Sequence, residues 1–163
     1  MPRKRQKKVG RPVYLSVGPL PVRLAPGFEG CLLVFSDASM RRQGGLAAVL
    51  FADPAAEPLI AVRSVPLQGS NELELQAALF AMAEAGRQFP QRRFALFSDN
   101  HDTVLRLQRA MREGLAQDAA LAAMLAAGGL ATALAHAEVH WIRGHGTCRG
   151  NALADQHAAL AAS

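Results

Sequence analysis

Short apolar runs and helical periods alternate along the chain and predict its elements. Residues 31–36, 46–51 and 59–65 are apolar and are separated by Gly-Gly or Asp-Pro dipeptides, which predicts hairpin-connected strands. Residues 71–88 place Leu73, Ala77 and Phe80 at helical spacing, which predicts a helix with a broad apolar face. The remaining candidates are strands at 93–97 and 139–142 and helices at 100–113, 118–127 and 151–162.

The order of these elements predicts the fold class. The first three strands have connections too short for crossovers, so we expect them to be antiparallel. The two later strands alternate with helices, which is typical of a mixed sheet covered by helices. We therefore expect an α/β fold in which three antiparallel strands are followed by two further strands, with helices on both faces of the sheet.

Composition limits the class of protein. The 163 residues are 50% apolar with a mean hydropathy of +0.08, which suits one well-buried domain. No apolar run reaches the ~18 residues of a membrane-spanning helix. Cys31 and Cys148 lie far apart, so we expect neither a disulfide framework nor a zinc module. A reduced, cytoplasmic setting is favoured, and the basic start does not continue into a secretory signal.

Positive charge is concentrated at the start of the chain. The formal net charge is +5, yet residues 1–13 carry six cations, including every lysine, and no acid. The rest of the chain has 12 arginines against 13 acidic residues, a net charge of −1. We therefore predict a basic flexible arm at 1–13 that binds a polyanion, either nucleic acid or an anionic membrane surface. A solvated tail that only aids solubility is the alternative.

The arm is followed by a segment rich in proline. Pro19, Pro21 and Pro26 disfavour long regular structure in residues 14–30. We predict an extended linker there, followed by one folded domain at 31–163.

Four carboxylates stand at strand ends or helix starts, where the fold can bring them together. Asp37 follows the apolar run LLVFS, and a carboxylate there is costly unless it is paired or binds a cation. The other three each have a structural alternative. Glu74 fits a capping box with Asn71, Asp99 fits an N-cap, and Asp155 fits a favourable charge in a first helical turn.

Four converging carboxylates repel one another unless divalent metal ions bridge them. Mg²⁺ suits such all-oxygen ligands, and two ions held together would clamp the attacking water and the leaving oxygen of a phosphodiester. The implied chemistry is hydrolysis of nucleic acid.

Four motifs give the chain a resemblance to the type 1 ribonuclease H family over roughly residues 31–160. They are FSDAS with Asp37, SNELELQAA with Glu74, LFSDN with Asp99, and HWIRGHGTCRGNALADQHA. In the last motif the family's spacing is kept by Trp141, Gly144, His145, Asn151 and Asp155.

The resemblance implies a ribonuclease H-like fold and a monomeric endoribonuclease that cleaves the RNA strand of RNA/DNA hybrids, leaving 5′ phosphates and 3′ hydroxyls. It implies two Mg²⁺ ions, with Mn²⁺ as a substitute. His145 resembles the loop histidine that assists proton transfer or product departure. The implied catalytic and metal-binding carboxylates are Asp37, Glu74, Asp99 and Asp155. The implied substrate-binding residues are Ser39, Ser70, Asn71, Asn100, His101 and Asn151.

The chain departs from the family in places that bear on hybrid recognition. The glycine-rich turn after Asp37 is shortened to MRRQGG, and the family's usual Ser-Gln after Asp99 becomes Asn100-His101. An Ala-rich segment replaces the basic protrusion after the second helix. Two alternatives therefore stay open: a nuclease of a mobile element with altered substrate choice, and a non-catalytic nucleic-acid binding module.

Two further groups have competing interpretations. Arg106, Arg109 and Arg112 share a helix face, which fits phosphate contacts or a solvated surface equally well. Cys148 lies three residues after His145, but nothing in the sequence supplies the oxyanion hole or the orienting group that a cysteine nucleophile needs.

Overall fold

Five strands and four α-helices make up the described part of the chain, residues 18–144 and 148–163 of a computed structural model. The strands are β1 (Leu32–Met40), β2 (Gly44–Phe51), β3 (Leu59–Val65), β4 (Phe94–Ser98) and β5 (Ala137–Trp141). The helices are α1 (Ser70–Gln88), α2 (His101–Glu113), α3 (Ala119–Ala127) and α4 (Arg149–Ala162), with short 3-10 helices at Ala25–Phe28 and Ala133–His136. Within these residues, no helix has the length and apolar character needed to cross a membrane.

The five strands form one mixed sheet in the order β3-β2-β1-β4-β5. β1 pairs with β2 and β2 pairs with β3, both antiparallel, as the short connections predict. β4 pairs parallel with β1, and β5 pairs parallel with β4, because helical connections allow the crossovers that parallel pairing needs. The predicted α/β fold class with a mixed sheet is confirmed.

Two hydrophobic clusters lie on opposite faces of the sheet, because successive side chains of a strand point to opposite faces. On β1, Leu32 and Val34 belong to a first cluster with apolar residues of α1, α2 and α3. Leu33 and Phe35 belong to a second cluster that includes Ala154 of α4. Helices therefore cover both faces, as predicted.

The C-terminal half of α4 packs directly on the start of β2. A Cβ atom at Gly45 would overlap the backbone oxygen of Ala158, so this close approach requires glycine. The side-chain amide of Gln43 also donates to the carbonyl oxygen of Ala161 at 3.1 Å. The sequence suggested that the Gly-Gly pair lies between strands, but both glycines belong to β2, where they make room for the helix and for α1.

Residues 18–30 pack against the domain, so the prediction of an extended linker is wrong for this stretch. Leu20 is buried in the second cluster, and Phe28 packs against the same cluster. The backbone amide of Gly150, at the start of α4, donates to the carbonyl oxygen of Pro19 at 3.1 Å. The prolines do prevent long regular structure, but the apolar side chains between them still gain from burial. The predicted arm and residues 14–17 lie outside the described residues.

Candidate metal centre

Strand pairing places Asp37 and Asp99 side by side. Phe35 of β1 pairs with Phe97 of the parallel strand β4, and each carboxylate follows two residues later. Parallel strands in register keep such positions level, so Asp37, inside β1, and Asp99, just after β4, lie side by side. Asp37 is only 4% exposed there. The prediction that these two carboxylates converge is therefore supported by the strand register.

Glu74 joins the pair from the second turn of α1. Ligand atoms of Asp37, Glu74 and Asp99 all lie within 4.8 Å of one another. The Oε2 atom of Glu74 is buried and has no hydrogen-bond partner among the described residues. A buried polar atom without a partner is costly, and a cation held by the three carboxylates would remove that cost. The all-oxygen donor set also suits a hard cation such as Mg²⁺.

Burial and the crowding of carboxylates raise the pKa values of two of them. Burial, together with the negative charges of Glu74, Asp99 and Asp155, raises the pKa of Asp37 to about 10. Burial and the charge of Asp99 raise the pKa of Glu74 to about 7. Because a carboxylate must be deprotonated to bind a metal ion, a cation that bound at this cluster would release protons and would bind more strongly as the pH rises.

Asp155 lies near the cluster but outside its closely spaced group. It is an exposed residue of α4, and its charge contributes to the raised pKa values of Asp37 and Glu74. It is not among the carboxylates whose ligand atoms lie within 4.8 Å of one another. Three of the four predicted carboxylates are thus brought into close contact, and the fourth acts on them through its charge.

The capping-box interpretation of Glu74 is wrong. Helix α1 begins at Ser70, and its N-cap is Gly69, which makes no side-chain capping hydrogen bond. Asn71 lies inside the helix, whereas the first residue of a capping box must occupy the N-cap position. The position of Glu74 therefore has no explanation in helix capping.

The structural alternatives for the other two acids are also wrong. The N-cap of α2 is Asn100 rather than Asp99, and its side chain accepts a hydrogen bond from a backbone amide of the first turn. The helix dipole favours an acid within the first turn of a helix. Helix α4 begins at Arg149, so Asp155 lies beyond that turn. Neither carboxylate is explained by helix stabilisation.

A chain of side-chain hydrogen bonds ties the start of α1 to the start of α2. The amide nitrogen of Asn71 donates to Asp102 at 2.8 Å, and that of Asn100 donates to Asn71 at 3.2 Å. Asn71 precedes Glu74 by three residues, and Asn100 directly follows Asp99. Two predicted substrate-binding residues therefore lie together beside the carboxylates and fix the elements that carry them.

Trp141 contacts the site in a way that the sequence did not predict. Its indole Nε1 donates to the backbone oxygen of Asp99 at 3.1 Å. Its ring stacks on that of His101, with centroids 4.3 Å apart and planes inclined by 13°. His101 is exposed, as a substrate-binding residue must be. The motif spacing had drawn attention to Trp141, but the contact joins residues that are 42 positions apart.

The other predicted substrate-binding residues differ in how deeply they are buried. Ser39 is half-buried on β1, and Ser70 is the exposed first residue of α1. Asn151 is 1% exposed, and its side-chain polar atoms have no hydrogen-bond partner in the described parts of the chain. Asn151 is therefore buried, whereas Ser70, Asn71 and His101 are exposed. His145 lies outside the described residues, and the buried position of Cys148 argues against a nucleophile open to substrate.

The arginines on α2 are paired with acids of the same domain. Arg106 makes two hydrogen bonds to Asp118, at 2.6 and 2.9 Å, and holds the pKa of that carboxyl at about 2. Arg109 pairs with Glu113 at 3.0 Å. These partners favour the interpretation of the arginines as a solvated helix surface over phosphate contacts.

Comparison with known proteins gives one family match. A family model described as RNase H matches residues 29–163. The matched range includes every predicted catalytic residue and begins near the end of the packed segment at 18–30. No curated protein sequence matches the chain.

Solved structures share the fold at low sequence identity. The N-terminal RNase H domain of a Mycobacterium tuberculosis protein, solved as a fusion with maltose-binding protein, has a TM-score of 0.63 and 17% identity over 82% of this chain and 94% of that one. RNase H1 from the halophilic archaeon Halobacterium salinarum has a TM-score of 0.57 and 16% identity over 81% and 97%. LC11-RNase H1, solved in complex with an RNA/DNA hybrid, has a TM-score of 0.55 and 14% identity over 77% and 92%. These similarities confirm the ribonuclease H-like fold expected from the sequence.

Proposed function

The chain belongs to the RNase H family, and from this premise we propose that it is a metal-dependent endonuclease that hydrolyses the RNA strand of RNA/DNA hybrids. The observation that carries the proposal is the cluster of Asp37, Glu74 and Asp99, whose ligand atoms lie within 4.8 Å of one another. A module that only binds nucleic acid gains nothing from such a cluster, because uncompensated carboxylates repel phosphates. The shared fold of LC11-RNase H1, a structure that contains an RNA/DNA hybrid, adds support.

The proposed cofactor is a pair of Mg²⁺ ions, with Mn²⁺ as a substitute, held by Asp37, Glu74, Asp99 and Asp155. When bound, the ions supply the positive charge that stabilises a phosphodiester while it is attacked and cleaved. The protein contributes ligands that are already in place: Asp37 is fixed on a central strand and Glu74 on a long helix. Ligands held on rigid elements need little rearrangement when the cations and the substrate bind.

The proposed reaction is hydrolysis within the RNA strand. The oxygen of a water molecule bonds to phosphorus, the bond between phosphorus and the 3′ oxygen breaks, and that oxygen takes up a proton. The products therefore carry a 5′ phosphate and a 3′ hydroxyl. Asn71, Asn100 and His101 lie beside the carboxylates and are proposed to position the substrate there.

The basic arm is proposed to bind phosphates of the same substrate. The segment that follows it is fixed beside α4, since Pro19 accepts a hydrogen bond from the amide of Gly150. A Cβ atom at Gly150 would overlap the ring of Phe35, which precedes Asp37 by two residues on β1. Pro19 thus lies close to the carboxylate cluster, and we propose that a single copy of the chain binds the hybrid with both the arm and the cluster.

Cleavage of labelled duplexes tests the proposed function. We expect the RNA strand of a hybrid to be cut with Mg²⁺ or Mn²⁺ and to stay intact in EDTA, because the carboxylates then lack the cations they require. RNA/RNA and DNA/DNA duplexes of the same sequence are the controls. Equal cutting of either control would favour a nuclease with altered substrate choice, and binding without cutting would favour a non-catalytic module.

His145→Ala is expected to slow cleavage by roughly 10²-fold, the lower part of the range for a single general acid or base. The backbone just before this residue lies against the cluster, since a Cβ atom at Gly144 would be 2.9 Å from Oδ2 of Asp99. A Mg²⁺ titration of the cleavage rate is the measurement. The Mg²⁺ concentration that gives half activity should stay unchanged if His145 moves protons rather than binding metal.

The matched control is His136→Ala, which removes an exposed histidine from the 3-10 helix Ala133–His136. It should leave the cleavage rate unchanged. A large rise in the Mg²⁺ requirement of His145→Ala would identify His145 as a metal ligand instead.

A further inference from the structure

A groove with a volume of about 750 Å³ lies between the N-terminal segment and the end of β5. Residues 21–24 form one wall, and residues 141–143 form the other. The family match begins at residue 29, so the first wall lies outside the matched range. The buried Leu20 and the hydrogen bond from the Gly150 amide to the Pro19 carbonyl hold this wall against the domain.

The groove borders the carboxylate cluster. Trp141 lines the groove, and its indole nitrogen donates to the backbone oxygen of Asp99 at 3.1 Å. Arg143, on the same wall, is followed by Gly144, the residue whose backbone lies against the Asp99 carboxylate. A ligand in the groove would therefore lie next to the place where a phosphodiester would be cut.

The chemistry of the groove fits a nucleotide. Val22 and Trp141 are 74% and 42% exposed, and they offer apolar and aromatic surface of the kind on which bases pack. Arg23 adds an exposed positive charge, and residues 21–24 and 141–143 include no acid. A guanidinium group pairs well with phosphate. The ring of Trp141 is already stacked on His101, so a base beside it would extend an existing stack.

We propose that this groove is a subsite for an unpaired nucleotide of the substrate, where a single strand leaves the hybrid duplex. The choice of substrate rests on the proposed function. The protein should accordingly bind a hybrid that ends in a short single strand more tightly than a blunt hybrid of the same duplex length.

Trp141, the only tryptophan of the chain, lines the groove and stacks on His101, so its fluorescence responds to both places and a blunt hybrid supplies the reference. The full-length protein is titrated in EDTA, so that nothing is cleaved, with a blunt hybrid and with the same hybrid carrying a short 5′ or 3′ overhang. We expect one overhang polarity to bind roughly tenfold more tightly than the blunt hybrid, which is the scale of one stacked base, and to change the fluorescence more.

Arg23→Glu tests the groove itself, since Arg23 is exposed and lies outside the carboxylate cluster. We expect this variant to lose the advantage of the overhang while it binds and cleaves the blunt hybrid like the native chain. The matched control is Arg93→Glu, the same charge reversal at an exposed residue just before β4, whereas Asp99 follows the other end of that strand. It should keep the overhang advantage.

Equal affinity of the native chain for blunt and overhanging hybrids would overturn the proposal, as would an unchanged overhang advantage in Arg23→Glu. A fluorescence change with a short peptide but with no oligonucleotide would overturn it in favour of a protein partner. Failure of the proposed function looks different, because the native chain would then not cleave the blunt hybrid in Mg²⁺.

Discussion

Asp37→Asn is expected to abolish metal-dependent cleavage and to raise the melting temperature of the metal-free protein. Asparagine keeps the shape of the side chain but removes the charge that a metal ligand supplies. Asp37 is 4% exposed and is repelled by Glu74 and Asp99, so the native carboxylate is costly to bury without a cation. Since ~1 kcal/mol corresponds to roughly 2–4 °C in a domain of about this size, the change should be measurable in a thermal melt. A residue with a structural role would instead lose stability when it is substituted.

The gain in stability should increase with pH. Burial and neighbouring carboxylates raise the pKa of Asp37 to about 10 in the folded protein, whereas the unfolded chain has the ordinary value of about 3.9. Between these values the folded protein keeps a proton that the unfolded chain has released, so its free energy of unfolding falls as the pH rises. Asparagine does not titrate, and the variant therefore lacks this decrease. Below about pH 4 both states of the native chain are protonated, and the two proteins should differ least.

The measurement is the melting temperature of the native chain and of Asp37→Asn in EDTA across this pH range. A second series with added Mg²⁺ measures how much the cation stabilises each protein. Mg²⁺ should raise the melting temperature of the native chain, more so at high pH, and should have little effect on Asp37→Asn. The matched control is Asp53→Asn, the same chemical change at an exposed carboxylate that accepts a hydrogen bond in a turn. Cleavage near the native rate by Asp37→Asn in Mg²⁺ would show that the metal assignment is wrong.

The carboxylate cluster could be predicted because Asp37 and Asp99 each come directly after an apolar run, and that signal is local in the sequence. The strand β1 continues to Met40, so Asp37 lies inside it rather than after its end as the sequence suggested. The register that makes them neighbours, Phe35 opposite Phe97, depends on pairing between distant segments and could not be derived from either one alone. The capping interpretations of Glu74 and Asp99 failed for a different reason. A shift of one or two residues in the start of a helix changes which side chain occupies the N-cap.

The N-terminal segment shows where local patterns stop being informative. Its prolines correctly disfavour regular structure, but whether it extends into solvent depends on the surface available for its apolar side chains. Leu20 and Phe28 pack in a hydrophobic cluster that includes Phe97 and Ile142, which lie much later in the chain. The groove beside Trp141 exists only because of this docking, so no local signal predicts it.

Deletion of residues 1–13 is expected to weaken substrate binding and to flatten its salt dependence. The rest of the chain has a net charge of −1, and Arg106 and Arg109 on its surface are paired with acids. The arm alone contributes six cations. Each phosphate that is neutralised contributes about −0.9 to the slope of log K against log salt, so an arm that engages three to six phosphates steepens the slope by roughly 3 to 5. When the salt is raised from about 50 to 200 mM, the arm's contribution should weaken binding by the native chain by roughly a hundredfold or more. The truncated protein should not show this additional loss of affinity.

The deletion should act on binding rather than on the chemical step. Phosphate contacts carry no base information, so the arm should strengthen binding of hybrid, DNA duplex and RNA duplex nearly equally. We expect the truncated protein to have a higher Michaelis constant at moderate salt, with the maximal rate and the cleavage pattern nearly unchanged. The measurement is the Michaelis constant on one hybrid across a salt series, and the matched control is a full-length variant with the six cations changed to glutamine, which keeps the length of the arm. That variant should behave like the truncation, because the charge rather than the chain is responsible. Parallel salt slopes for the native and truncated proteins would mean that the arm does not touch the substrate and is a solvated tail.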